Sequence, residues 1–226
     1  MTRQAASMCE CRSPYASRGD RSRSPYDRLI ATCGVRSIPP AWLEQVPPGG
    51  VILTTLRGWM RSLGLVKLIV TGDSASGWFS EDGPSFMIAR QQEAPESLGM
   101  VPGPGDGTVR RAARGPEVLT SSGPAFMAQL AAPDARFFSM AVDGGPVCTF
   151  LLDSVTDSFA VLAPTESGWQ VRQGGPRRLW DAIEAAVATW EEYGSPNTAA
   201  FGVTVARDRQ AVWLGNPSGP QWPLPS

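Results

Sequence analysis

The chain has 226 residues, with 20 basic against 21 acidic side chains, a balance that builds no overall field toward nucleic acid or a membrane surface. It contains no histidine, which removes Ser-His-Asp and Cys-His hydrolases and histidine-ligated metal sites. No apolar run reaches the ~18 residues of a membrane span and no apolar h-region follows the N-terminus, so a cytoplasmic protein is expected, with neither membrane nor nucleic acid as partner.

Residues 1–23 carry Arg3, Arg12, Arg18, Arg21 and Arg23, and the string Arg-Ser-Pro-Tyr begins at both Arg12 and Arg23. This run has no apolar periodicity and is expected to be a disordered, solvated Arg/Ser-rich tail. Cys9 and Cys11 fall in it, and with Cys33 and Cys148 they show no zinc spacing. The pattern changes abruptly at Ser24. Arg28 to Val35 is apolar and suits a strand buried on both faces of a parallel sheet. Ile38 to Val46 has prolines where a first helical turn tolerates them, with Leu43 and Val46 on one side. Pro47-Pro48-Gly49-Gly50 forces a turn, and Val51 to Leu56 reads as the next strand, giving a β-α-β unit.

The order Pro25-Tyr26-Asp27 with an aliphatic strand, then Ile38-Pro39, Trp42-Leu43-Glu44-Gln45, Pro48-Gly49-Gly50 and a second aliphatic strand resembles protein-L-isoaspartate O-methyltransferases. Leu63 to Val70, the acidic, glycine-containing turn Asp73 to Gly77, and Ser85 to Arg90 resemble the last strands of the same fold. The resemblance covers residues 24–92 and implies a partial Rossmann-like sheet of an S-adenosylmethionine-dependent methyltransferase. It also implies a protein or peptide substrate bearing an aspartyl or isoaspartyl carboxylate. Such a carboxylate is ionised at neutral pH and is its own nucleophile, so the absence of histidine is compatible with the chemistry and no catalytic side chain is assigned. Ligands of open α/β sheets bind beyond the carboxyl ends of strands, which makes Ala31, Thr32, Cys33 and Gly34 the cofactor-facing candidates.

The family's glycine-rich E-x-G-x-G-x-G turn, whose N–H groups approach the cofactor, does not occur before Tyr26. Gly19-Asp20-Arg21 is a partial echo of the Gly-Asp-Gly that stands upstream of the Pro-Tyr-Asp strand in that family. The expectation is therefore a truncated copy with impaired or no activity, whose first strand lies at a sheet edge open to self-association.

Residues 93–115 are rich in proline and glycine and read as a linker; Gly103-x-Gly105-x-Gly107 lies between no strand and helix that would make it a phosphate loop. Residues 116–226 read as a small α+β domain. Pro116 to Ala132 holds a short helix interrupted at Gly123-Pro124. Strands follow at Phe137 to Val142, Val147 to Leu152, Phe159 to Leu162 and Trp169 to Arg172, an antiparallel meander. Pro176 opens a helix with Leu179, Ile183, Val187 and Trp190 on one stripe and Gly194 at its end. Phe201 to Val205 and Ala211 to Leu214 complete the set as two strands. Val171 to Leu214 also resembles the C-terminal extension of isoaspartyl-methyltransferase-like enzymes of actinobacterial peptide pathways. A non-catalytic module binding a peptide or partner through the aromatic residues of this part is the alternative function.

Overall fold

The computed structural model describes residues 6–8 and 18–225 apart from 100 and 142–143, without the side chains of 6–8 and Ser62. Cys9, Cys11 and the first Arg-Ser-Pro-Tyr string lie outside the described residues. The fold is mixed α/β, with two sheets and few helices, divided into two compact units: Met1–Glu93 with Pro196–Ser226, and Ala94–Ser195.

In the first unit the strands are β1 (Ala6–Met8), β2 (Arg28–Val35), β3 (Val51–Arg57), β4 (Ser62–Thr71) and β5 (Ser74–Phe79), with α1 (Pro40–Gln45) joining β2 to β3. β1, β2 and β3 run parallel, and β4 and β5 follow antiparallel. Proline at the first helical position starts α1 without needing the N–H that it lacks. Register sorts the side chains into two faces. Leu29, Ile52, Leu68, Val203 and Val212 fall on one inner row and all are buried. Trp42 and Leu43 of α1 are buried too, so α1 closes this inner face.

The sheet is finished from the far end of the chain. β11 (Phe201–Val205) pairs antiparallel with β5, and β12 (Gln210–Leu214) and β13 (Gln221–Pro223) extend it to eight strands among the described residues. This differs from the expected division, in which residues 116–226 form one domain. The strands at 201–214 carry alternating buried residues that need a sheet with an open edge, and β5 supplies it. The residues before Ser24 also differ from the expected tail: Arg21–Arg23 form a 3₁₀ turn that Asp20 caps by accepting from the Ser22 amide at 2.9 Å.

Nor is the edge of β2 bare. β1 pairs with Leu29 to Ala31, and Gly34 makes an isolated parallel bridge to Ile88, so two short additions cover the edge that was expected to be open. The segment Ser85 to Arg90, expected as a strand, contributes only that bridge. The expected turn at Asp73 to Gly77 is mostly β5, reached by a tight turn at Gly72 and Asp73.

The second unit contains β6 (Thr108–Ala112), α2 (Ser122–Ala131), β7 (Ala135–Ala141), β8 (Val147–Asp153), β9 (Ser158–Thr165), β10 (Gly168–Gly174) and α3 (Leu179–Glu192). The meander β7-β8-β9-β10 appears as expected, but the presumed linker supplies β6, paired to β10. Arg110 explains why: from β6 its Nε donates to Asp181 Oδ1 at 2.8 Å and its Nη2 to Glu184 Oε2 at 2.7 Å, fastening the strand to α3. α2 starts past Thr120 and contains Gly123-Pro124 rather than breaking there. Pro124 sits in the first turn, where its missing N–H has no partner to lose. A Cβ at Gly123 would lie 2.4 Å from the Trp190 ring, which fixes glycine at this crossing of α2 and α3.

Candidate functional site

β2 delivers Ala31, Thr32, Cys33 and Gly34 toward its carboxyl end. Ala31 and Cys33 point to the inner face and are 2% and 5% exposed; Thr32 points the other way and is half-buried. Between Ile30 and Gly34 the ladder with β3 slips, four residues on β2 standing against two on β3. The Cys33 carbonyl accepts from Thr54 Oγ1 at 3.4 Å. The Gly34 amide donates to the Met87 carbonyl and its carbonyl accepts from the Ala89 amide, both at 2.7 Å. A side chain at Gly34 would meet Arg57 Cβ and the Phe86 carbonyl at 3.1 Å. The four candidates are thus consecutive on one strand end, but two face the core and the glycine is closed over by residues 86–89.

The loop that leaves β2 is held by two glutamine side chains acting as backbone substitutes. Gln92 Oε1 accepts from the amides of Arg36 and Ser37, and its Nε2 donates to the Ser37 carbonyl at 3.2 Å. Gln210 Oε1 accepts from the Ile38 amide and its Nε2 donates to the Ile38 carbonyl, each at 2.8 Å. Trp59 Nε1 donates to the Gln92 carbonyl at 3.0 Å, and the Arg36 guanidinium lies 3.6 Å from the Trp59 ring centre. Neither glutamine carries a sequence signal, because each acts on backbone that is distant in the chain and falls in no motif.

Beside this loop is a cleft of about 510 Å³, bordered by Ser37, Pro39, Gln92, Arg207, Arg209 and Leu224 among others. None of residues 31–34 lines it. A second concavity, about 690 Å³, is lined by Arg18, Gly19, Asp20, Arg21 and Ala41. Here the side-chain hydrogen bond from Ser22 holds the Asp20 carboxyl below the ordinary aspartate range. The Tyr26 hydroxyl donates to the Asp20 carbonyl at 2.8 Å, and burial raises its own pKa. Gln45 Nε2 donates to the Arg18 carbonyl at 2.6 Å.

Cys33 and Cys148 are both buried. Among the described residues no group of three or more Cys, Asp or Glu side chains is placed to hold a metal ion, and no helix is long and apolar enough to cross a membrane. The aromatic set of the C-terminal part makes no cage: Phe150, Phe159, Trp180 and Trp213 are buried, and Phe137, Phe138, Trp169 and Trp190 are half-buried.

The sequence matches no protein-family model. It is similar to a protein-L-isoaspartate O-methyltransferase of Methanosarcina mazei, with 39% identity over 49 residues, a stretch that takes in 22% of this chain and 20% of that protein. The chain therefore matches about one fifth of the length of that curated relative. Among solved structures, a protein-L-isoaspartate O-methyltransferase aligns over 89% of this chain and 58% of its own, at 15% identity and a TM-score of 0.44.

Proposed function

We propose that this chain carries the carboxyl-terminal part of an S-adenosylmethionine-dependent carboxyl O-methyltransferase domain with a partial Rossmann-like sheet. Its lineage acts in the cytoplasm on aspartyl or isoaspartyl carboxylates of proteins or peptides, and this copy is truncated and has impaired or no activity. The observation that carries the reading is the local sequence similarity, taken with the β2-α1-β3 unit. The residues of the motif from Pro25 to Gly50 form two parallel strands joined by a helix, as the resemblance requires.

In a complete site, Ala31, Thr32, Cys33 and Gly34 would border the cofactor at the carboxyl end of β2. The residues present do not fit S-adenosylmethionine unaided. Gly34 spends its amide and carbonyl on residues 87 and 89, Ala31 and Cys33 face the core, and no glycine-rich turn precedes β2 to offer further N–H groups. No chemical step is therefore routed through the cofactor here.

Equilibrium dialysis of the full chain against radiolabelled S-adenosylmethionine is expected to show no saturable binding, and an isoaspartyl peptide is expected to gain no label. Saturable binding together with methyl transfer would make the chain a complete enzyme and sink the truncated reading.

A further inference from the structure

The outer face of the eight-stranded sheet carries an observation that the methyltransferase reading does not use. Parallel strands with apolar residues on both sides normally have both faces covered. Here α1 closes the inner face, and residues 83–86 reach the outer one only at its upper end, where Gly83 lies against Leu65 and the Thr55 hydroxyl donates to the Pro84 carbonyl at 3.2 Å. Below that point two rows are open. One runs Ile30, Leu53, Lys67, Trp78; the other runs Arg28, Val51, Ile69, Ser76. Ile30 is 37% exposed, Ile69 48% and Trp78 48%, with Val51 and Leu53 half-buried between them. Cross-strand and diagonal spacing makes these five side chains contiguous across four strands. The sequence suggests a strand buried on both sides at Arg28 to Val35; Ile30 departs from it because the described residues place no helix over this side.

The patch is firm. Trp213 lies over Gly202, where a Cβ would stand 2.2 Å from its ring, and its Nε1 donates to Thr204 Oγ1 at 3.0 Å. Trp78 meets Trp213 edge to face with ring centres 4.4 Å apart, so its indole is braced while half of it stays open to solvent. The charges in these rows are Arg28 and Lys67, both exposed, and no acid interrupts them. Among the described residues neither cation has an ion-pair partner.

We propose that this face docks an amphipathic helix of a partner polypeptide, with an apolar stripe on the patch formed by Ile30, Val51, Leu53, Ile69 and Trp78 and acidic residues beside Arg28 and Lys67. A sheet face buries itself against a helix layer, whereas an added strand needs an edge. Both edges are occupied or blunted: β2 by β1 and Ile88, and β13 by Pro223 within it and Pro220 and Pro225 around it. A second copy of the same face would set Arg28 and Lys67 against their own kind, which charge complementarity disfavours. The inference rests on this face alone and is independent of the cofactor reading.

The test uses the full chain and two fluorescent synthetic helices that share one Leu/Ile stripe, one flanked by Glu and the other by Lys, read by anisotropy at low salt. The Glu-flanked helix is expected to bind saturably and at least tenfold more tightly than the Lys-flanked one. Ile69→Asp should weaken it tenfold or more, and Lys67→Glu should reverse the preference. Trp78→Ala serves as a second apolar truncation at an exposed position should Ile69→Asp fail to fold. Equal binding of the two helices, binding of neither, or indifference to both apolar variants would overturn the proposal. So would a dimer in sedimentation equilibrium that Ile69→Asp dissociates, which would assign the face to a second copy.

Discussion

The two sheets reach a closed core by opposite routes. The second unit is built from one continuous stretch, Ala94–Ser195, with its meander made by neighbouring strands and two helices of 10 and 14 residues. The first unit has one helix of six residues and closes its sheet by pairing β5 with β11, strands that stand on either side of the entire second unit in the sequence. Local contacts form at small entropic cost, whereas the β5–β11 pairing must first close a loop of more than one hundred residues. The region that resembles the methyltransferase is thus the one that depends on a distant segment for its integrity.

Cutting the chain after Ser195 is the most severe test of that contrast. It removes β11, β12 and β13, leaves β5 with a bare edge, and takes away the buried Phe201, Val203, Val205 and Val212. Amide protection in β4 and β5 is expected to collapse while β8 and β9, paired within their own sheet, retain theirs. Unchanged protection in β4 would show that the first five strands hold themselves together. A smaller disturbance is expected on the other side. Gln173 of β10 is fully buried and caps α3 from a neighbouring strand: its Oε1 accepts from the Trp180 amide at 2.8 Å, and its Nε2 donates to Asp181 Oδ1 at 2.6 Å. Arg178, the residue at the cap position, makes no side-chain cap of its own. Gln173→Ala should cost about 1–3 kcal/mol in urea unfolding, the range for stranding buried partners; a loss under about half a kcal/mol would show that water replaces the amide.

What the sequence made legible was local. The turn at Pro47 to Gly50, the strands flanking it, the meander and the α3 stripe each follow from patterns of two to eight residues, and the structure has them within a few positions. What it concealed was distant. Phe201 to Val205 reads as a strand in isolation, but nothing in its residues distinguishes an edge at β5 from an edge in the second sheet. Thr108 to Ala112 has too few apolar residues to announce a strand, and it becomes one through β10 and the Arg110 contacts to α3. The candidate stretch Ala31 to Gly34 was placed correctly at a strand end, yet its burial depends on α1 and on residues 86–89, whose approach Gly34 permits but does not signal.

The smallest expected effect lies in the titration of Asp181. Burial acts to raise its pKa, but hydrogen bonds from Arg110 and Gln173, the charge of Arg110 and a bond from Arg178 together hold the carboxyl below its ordinary value of 3.8. A carboxyl depressed in the folded state stabilises that state fully above its unfolded pKa, and the contribution disappears as the pH falls through the folded value. The side chain is 42% exposed, so solvent screening keeps the contribution small. Asp181→Asn should therefore lower the urea midpoint of the second unit at about pH 6, and the gap from the parent chain should narrow as both are taken toward about pH 3. The geometry gives the same direction, since an amide cannot match the charge-assisted bond from Arg110 Nε at 2.8 Å, whereas a protonated carboxyl in the parent forfeits it equally. A gap that held constant across that range would mean that the substitution acts through shape at the α3 terminus. A gap that widened would place the charge on the destabilising side and remove the Arg110 clasp as the reason that β6 stays with α3.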